Sequence, residues 1–422
     1  MSTQESELPV IENGSTTPPR RLPRNVWVTT VTSFLTDISS EMLLNLLPLF
    51  LFNVLGVRTA VIGVIEGVAE TTASVLKIFS GWLSDRMRAR KGLAVLGYGL
   101  STIAKPFLYF ATTWGWVLGV RFADRVGKGL RTAPRDALVA DSIDERQRGL
   151  AFGLHRAGDT AGAVIGLAIA LGVFLATQRG MTELTRATFQ VIVLISVIPA
   201  VLAVLVIALG AQEVAPTSRE ATQPRLTLAG LDRRFLLFLV VVVVFTLGNS
   251  SDAFLILRAQ TAGLSVSGVL GMMVTFNLTY ALISIPAGML SDRVGRRSLL
   301  ILGWGLYALV YLGFARASTG WHAWSLMAVY GVYYGLTEGV AKAFVADLVP
   351  SERRGTAYGV YNAAVGIMAF PASLIAGVLW QGVGSWTGFG PSAPFLFGAV
   401  LATLAVVMLM RLPVKESMSR MM

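Results

Sequence analysis

Twelve long apolar runs, separated by short polar turns, dominate the pattern of this chain. Each run is long enough to cross about 30 Å of hydrocarbon as a helix. Only helices and closed barrels satisfy every backbone hydrogen bond in lipid, so the pattern predicts an all-α membrane bundle. The runs cover residues 26–55, 59–84, 93–113, 115–141, 149–177, 187–211, 235–260, 264–290, 298–316, 322–347, 353–380 and 391–412.

Two short sequences recur at almost the same offset. Gly-Trp-Leu-Ser-Asp-Arg at 81–86 returns as Gly-Met-Leu-Ser-Asp-Arg at 288–293, and Leu-Val-Ala-Asp at 138–141 returns as Phe-Val-Ala-Asp at 344–347. Such repeats predict two pseudo-symmetric six-helix bundles with a site between them. The predicted units are a disordered cytoplasmic N-terminus at 1–25, bundles at 26–211 and 235–412, a cytoplasmic linker at 212–234 and a cytoplasmic tail at 413–422.

Composition agrees with a chain whose solvent is mostly lipid, since 54% of residues are hydrophobic and the mean hydropathy is +0.65. The net charge of +11 comes from basic turns at alternate run ends, so no nucleic-acid partner is expected. The positive-inside rule then places both termini in the cytoplasm. We expect a multi-pass, monomeric protein of the cell (inner) membrane. Tryptophans near run ends, Trp304 among them, are expected at the lipid–water interfaces.

The turn at 288–297 fits the loop signature Gly-x-Leu-Ala-Asp-Arg-x-Gly-Arg-Lys, and the turn at 81–91 fits it in part. On these motifs the chain resembles a transporter of the major facilitator superfamily, of the bacterial drug- or metabolite-efflux kind. The resemblance implies twelve helices, a lipid-embedded small-molecule transporter and a gate at each signature loop. The implied gating residues are Gly81, Asp85, Arg86, Gly288, Asp292 and Arg293.

The fourth run contains charges that lipid does not tolerate. Arg121, Asp124, Arg125, Lys128, Arg131, Arg135 and Asp136 fall within an arc of about 140°. Each charge at mid-bilayer costs about 3 kcal/mol, so the stripe must face water or countercharges inside the bundle. One interpretation is a structural ion-pair network, in which Arg121 and Arg135 are the expected members. The other is a cationic lining for cargo, with Lys128 and Arg131 near the midplane as the expected binding residues.

Carboxylates on other runs are candidates for proton coupling, because burial and nearby bases control their proton affinity. Glu41 and Asp37 on the first run are the first choices, followed by Asp159 and Glu70. Ser-Ser-Asp at 250–252 resembles Ser-Ser-Glu at 39–41, which makes Asp252 the symmetry mate of Glu41. Each of these acids has a plain alternative as a fixed ion pair.

The second half has fewer charges and more aromatic polar residues. Tyr334 and Glu338 belong to a stripe with a four-residue interval on the tenth run, and Asn277 lies on the eighth. Together with Arg156 on the fifth run, which could also pair with Asp159, these residues are predicted to bind cargo. Two histidines and no cysteine make a metal site unexpected, and no cofactor is expected.

No phosphate-binding loop or catalytic nucleophile motif is evident, so the chain is not expected to be an enzyme. The leading interpretation is a secondary active transporter that works by alternating access, with proton-coupled efflux of a small organic or anionic molecule. The basic stripe favours an alternative, proton symport uptake or anion exchange, as does Gly166-Leu167 in place of the Gly-Pro pair of related drug antiporters. A different class would be a non-transporting membrane sensor or assembly factor on the same scaffold.

Overall fold

The computed structural model describes residues 22–87, 89–143, 147–178, 183–214, 231–350 and 353–413. Within these ranges the chain forms twelve long helices and no strand, as predicted. The helices are α1 Arg24–Val54, α2 Thr59–Met87, α3 Arg90–Phe110, α4 Trp114–Asp141, α5 Arg148–Thr177, α6 Arg186–Gly210, α7 Arg233–Thr261, α8 Val266–Val294, α9 Arg296–Arg316, α10 Gly320–Asp347, α11 Arg354–Gln381 and α12 Ala393–Met410. Most of the predicted N-terminus, linker and tail lies outside the described residues.

Ten of these helices are long and apolar enough to span a membrane by length and composition alone. The other two, α4 and α10, have 28 residues each and occupy equivalent places in the two halves. They contain the two polar stripes found in the sequence. Because both stripes face the interior of the bundle, α4 and α10 need less apolar surface than their neighbours.

Helices α1 and α7 are interrupted near the middle of the bundle, although their runs were predicted to be continuous. In α1 the helix breaks at residues 45–46, resumes at Leu47–Leu49 and continues as a short π-helical segment, Phe50–Val54. In α7 the helix stops at Gly248 and restarts at Ala253. The Tyr307 hydroxyl donates to the Gly248 carbonyl at 2.9 Å, so a side chain satisfies a backbone group that the break exposes.

Pseudo-symmetry of the two halves appears in matching ion pairs. Arg90 at the start of α3 pairs with Asp141 at the end of α4. Arg296 at the start of α9 pairs with Asp347 at the end of α10, at 2.5 Å. The repeated Val-Ala-Asp sequence therefore fastens equivalent helix ends together. We call the end of the bundle that carries these pairs the basic end, and the opposite one the far end.

Glycines let the helices of the first half approach closely. A Cβ added at Gly162 or Gly166 would lie 2.5 Å from the carbonyl oxygen of Phe34 or Ile38 in α1. The four-residue glycine interval in α5 therefore has a packing role, because any side chain there would force α1 away.

Two seams join the halves, α2 against α11 and α5 against α8. The first is tight, because a Cβ at Gly63 or Gly377 would overlap the backbone of the facing helix. At its far end the Thr59 hydroxyl donates to the Gly377 carbonyl at 3.0 Å, and the Thr59 amide donates to Gln381 Oε1 at 2.7 Å. The far end is thus closed by contacts that involve the backbone.

Trp304 is buried inside the second half, so the prediction that it lies at the lipid–water interface was wrong. Its side chain is only 4% exposed, and it stacks on Phe245 with ring centroids 4.4 Å apart. The indole belongs to the aromatic core of the second half, where facing helices supply enough apolar contact to bury it.

Gly63→Ala is expected to destabilise the protein by about 1–3 kcal/mol, because its methyl group would overlap the Ser373 carbonyl across the tight seam. Thermal unfolding of the purified protein measures the effect. Gly172→Ala in α5 is the matched control, since no atom lies within 4 Å of a Cβ at that position. Equal melting temperatures for the two variants would contradict a tight α2–α11 seam.

Candidate functional site

A cavity of about 430 Å³ lies between the two halves, near the middle of the bundle. The first half contributes α1, α2 and α4 to its wall, and the second half contributes α7, α8, α10 and α11. We call it the central cavity. Its charged and strongly polar lining residues include Glu41, Asn45, Glu66, Glu70, Arg121, Arg125, Lys128, Asn249, Ser250, Ser251, Asp252, Asn277 and Tyr334.

Two bases of α4 are held by acids of α2. Arg121 donates to Glu66 at 2.8 Å, and only 5% and 9% of these side chains are exposed. Arg125 donates to Glu70 at 3.1 Å and lies 3.4 Å from Asp124. The structural interpretation of the stripe therefore fits these two arginines. Nε and Nη1 of Arg121 have no hydrogen-bond acceptor among the described residues.

Lys128 differs from these arginines. It lines the central cavity and is exposed. None of the described residues forms an ion pair with its ammonium group within 4 Å. A lysine in this position is a mobile point charge with three donors, available to a cargo molecule or to a carboxylate that moves.

Two acids of the central cavity are held by neutral partners rather than bases. Glu41 in α1 accepts a hydrogen bond from Asn45 Nδ2 at 2.8 Å. Asp252, at the break in α7, accepts one from the Tyr330 hydroxyl at 3.0 Å. The proposed symmetry mates thus line the same cavity from opposite halves, and either can gain a proton without breaking an ion pair.

Three other predicted residues lie outside the described lining of the central cavity. Arg131 is buried between α3 and α4, where it donates to Ser101 Oγ at 2.8 Å and lies over the Tyr98 ring at 4.5 Å. Asp159 in α5 is 3.8 Å from His155. Asp37 in α1 has Glu41 and Asp159 among its electrostatic neighbours.

Arg156 crosses to the other half rather than pairing with Asp159. Its guanidinium donates to Glu338 of α10 at 3.1 Å and also contacts the Tyr280 hydroxyl of α8. Tyr280 donates in turn to Glu338, and Lys342 lies 3.8 Å from the same carboxylate. We call this group, Arg156, Tyr280, Glu338 and Lys342, the inter-half bridge.

A second cavity of about 1080 Å³ contains the inter-half bridge in its wall. It lies between α5, α8 and α10, towards the basic end, and we call it the side cavity. Tyr334 lines both cavities. Apart from Arg131, which lines neither cavity, the predicted cargo residues fall into two groups. Lys128 and Asn277 belong to the central cavity, Arg156 and Glu338 to the side cavity, and Tyr334 to both.

The predicted gating residues lie at the basic end. Gly81 faces Ala133 of α4, and Arg86 lies 5.5 Å from the centre of the Trp82 ring. Gly288 lines the side cavity, and Arg293 is exposed. The side chains of Asp85 and Asp292 lie outside what the structure describes.

Lys105 is a polar contact that sequence reasoning missed. Its ammonium group donates to Ser39 Oγ at 2.7 Å and to Ser40 Oγ at 3.0 Å, next to Glu41. A lone base inside the third apolar run was the available signal, because such a residue must find a partner inside the bundle. The position equivalent to Lys105 in the second half, 206 residues later, is occupied by Tyr311.

The architecture and its cavities have parallels among known proteins. The family model of the Major Facilitator Superfamily matches residues 29–370 and also residues 237–420. An uncharacterised MFS-type transporter of Methanocaldococcus jannaschii is 36% identical over 397 residues, which are 93% of this chain and 95% of the relative. The chain therefore belongs to the Major Facilitator Superfamily, and it is a multi-pass membrane transporter of small molecules rather than an enzyme.

More distant similarities agree with that family. The multi-drug resistance efflux pump PmrA of Streptococcus pneumoniae is 27% identical over 302 residues, covering 68% of this chain and 72% of the pump. Among solved structures, nucleoside transporter NupG superposes with a TM-score of 0.72 at 15% identity, covering 92% of this chain and 98% of that one. A D-xylose–proton symporter gives 0.71 at 16% identity, covering 93% and 98%. The structural likenesses bear on the fold alone.

Glu66→Ala is expected to destabilise the protein by about 3–5 kcal/mol, because it leaves the Arg121 charge buried without a partner. Thermal unfolding should show partial recovery in the double variant Glu66→Ala/Arg121→Leu, which removes both charges. Arg156→Ala removes one partner of a half-exposed ion pair and serves as the comparison. It is expected to lower the free energy of unfolding by at most about 1 kcal/mol, because solvent screens this pair. Equal losses for Glu66→Ala and Arg156→Ala would contradict this assignment.

Proposed function

We propose that this transporter exports a small organic or anionic molecule by alternating access, driven by an inward flow of protons. The observation that carries the proposal is the central cavity, where both halves meet around Lys128, Glu41 and Asp252, none of which forms an ion pair with a described residue. A polar cavity near the middle of a pseudo-symmetric bundle is where transporters of this architecture place their cargo.

Cargo recognition is assigned to side chains from both halves. Lys128 supplies a positive charge from α4, where it lines the central cavity. Asn277 and Tyr334 offer hydrogen-bonding and aromatic contacts from the second half. Contacts divided in this way make bound cargo sensitive to any rotation of one half against the other.

Alternation requires that the contacts at one end break easily. The inter-half bridge meets this need, because 52% of Arg156 and 37% of Glu338 are exposed, and such a pair contributes roughly 0–1 kcal/mol. The far end is closed by backbone contacts in this conformation. We therefore assign gate roles to the bridge and to the signature loops at the basic end.

Proton coupling is assigned to Glu41 and Asp252 first, with Glu70, Asp37 and Asp159 as further members. In the central cavity four carboxyl groups face three bases, and two of those bases are already paired with Glu66 and Glu70. Protonation of Glu41 or Asp252 changes the net charge of the cavity without removing a structural ion pair. Such a change alters cargo affinity directly.

The proposed direction rests on the similarity to the pneumococcal efflux pump. The basic turns support a cytoplasmic basic end, with both termini in the cytoplasm of a cell whose inner membrane holds the protein. We propose a monomer, since both halves of the cavity come from one chain. An inside-negative membrane potential would also favour export of an anion, by about 2.3 kcal/mol per charge for each 100 mV.

Proton symport of an anion is the second candidate, and the charge balance of the central cavity favours it. When Glu41 and Asp252 both carry protons, Lys128 has no competing free carboxylate in the cavity wall. Protons and an anionic cargo would then bind together and move in the same direction. The two candidates differ in the sign of coupling.

Lys128→Ala is expected to abolish cargo binding. The melting temperature of the cargo-free protein should stay within the error of the measurement, since the Lys128 ammonium group forms no ion pair with a described residue. A thermal-shift screen of organic anions, sugars, amino acids and drugs measures binding as stabilisation of the protein. Arg233→Ala, an exposed base at the start of α7, is the control and should keep the wild-type response. Compounds that stabilise wild type and Lys128→Ala equally would exclude Lys128 from the site.

Glu41→Gln is expected to abolish accumulation driven by a pH gradient and to keep exchange, because the variant side chain cannot carry a proton. A compound whose stabilising effect depends on Lys128 is followed into proteoliposomes. Antiport predicts accumulation when the vesicle interior is acidic, and symport predicts it when the exterior is acidic. Proton coupling through Glu41 is ruled out if Glu41→Gln retains the full response to either gradient.

A further inference from the structure

The two seams between the halves are unequal. Along α2 and α11, glycines bring the backbones into contact, and the Thr71 hydroxyl donates to the Gly366 carbonyl at 2.7 Å. Between α5 and α8, the halves are instead separated on the basic side by the side cavity of about 1080 Å³. Among the described residues, a passage out of the bundle is therefore available on the flank formed by α5 and α8.

The wall of the side cavity includes side chains that face outward. Ile165 of α5 and Leu278 of α8 are exposed, and Ile285 of α8 is 74% exposed. Aliphatic side chains exposed in the middle of a membrane-spanning helix are more stable against acyl chains than against water. Ile285 lies nine residues before the end of α8, or about 14 Å from it along the helix. The side cavity therefore opens at the depth of the hydrocarbon.

The inner wall of the side cavity is polar and has an excess of positive charge. Arg156 and Lys342 both lie within 4 Å of a single carboxylate, Glu338. Arg296, which also lines the cavity, is paired with Asp347. Among the described side chains, the inter-half bridge therefore has one base more than it has acids.

Tyr334 lines both this cavity and the central cavity, so the two are adjacent at this side chain. The inter-half bridge stands on the side-cavity side of Tyr334. A molecule with an acidic group could therefore meet Arg156 first and Lys128 afterwards, while its apolar part remained against aliphatic side chains.

We propose that the cargo is an amphipathic organic anion, dissolved in the membrane, which passes between the bilayer and the central cavity through the gap between α5 and α8. The acidic group of the cargo contacts Arg156 first and Lys128 second, while the apolar part of the cargo occupies the side cavity. This inference rests on the proposed function for the role of the central cavity, and it holds for either direction of transport.

Dodecyl phosphate is the probe for a direct test. The full-length protein is placed in phosphatidylcholine nanodiscs, and binding of the radiolabelled probe is measured by scintillation proximity. We expect it to bind at least tenfold more tightly than dodecyltrimethylammonium, which has the same chain, or butyl phosphate, which has the same head group. Equal competition by butyl phosphate would mean a water-dissolved anion, and equal competition by the cation would mean simple partitioning; either result overturns the proposal.

Matched tryptophan variants test the route. Ala281→Trp places an indole in the side cavity and is expected to weaken dodecyl phosphate binding at least tenfold. Leu282→Trp, on the neighbouring exposed position outside the lining, should stay within twofold of wild type. Equal affinities for the two variants would overturn the lateral route.

A cysteine-free chain allows a second measurement that does not depend on the bulky variant. A nitroxide attached to Ala161→Cys, in the side-cavity wall, should collide more with oxygen than with a water-soluble nickel complex. The reverse ratio would identify an aqueous vestibule and overturn the proposal. Failure of the central site is distinguishable, because it appears as transport that Lys128→Ala leaves unchanged, whatever the two side-cavity measurements give.

Discussion

Burial of charge in α4 is the constraint on which the rest of this structure depends. A helix with several ionised side chains can lie inside a bilayer only if other helices shield those groups from lipid and supply countercharges. Glu66 and Glu70 supply them for Arg121 and Arg125. This requirement fixes α2 beside α4, and Arg121, Arg125 and Lys128 of the stripe line the polar cavity where the halves meet.

Ion pairs of different burial have different mechanical roles. The Arg121–Glu66 pair inside the first half is almost fully buried, so breaking it leaves an uncompensated charge in a low dielectric. The inter-half bridge is half exposed, and water can replace its contacts at little cost. The first half can thus remain rigid while its contact with the second half changes. Rigid halves and a weak bridge are what alternating access requires.

Glycine placement explains why the two seams differ. Backbone contact along α2 and α11 leaves no space for a passage, and the same residues close the far end. Between α5 and α8 the contacts near the basic end are made by long side chains, which leave a large cavity around them. A chain with nearly symmetric halves therefore has an asymmetric interior, because the closest glycine contacts between the halves belong to one seam only.

Run length and repetition determined from sequence alone that the chain has twelve helices in two related halves, because hydrocarbon thickness and backbone hydrogen bonding leave few alternatives. The helical periodicity of the charged residues in α4 also predicted that these residues face the interior of the bundle. Tertiary structure decided the rest. Lys128 and Arg131 are three residues apart, yet only Lys128 lines the central cavity, since the α3 contacts of Arg131 depend on helix rotation. The break in α7 and the crossing of Arg156 to Glu338 likewise depend on partners more than a hundred residues away.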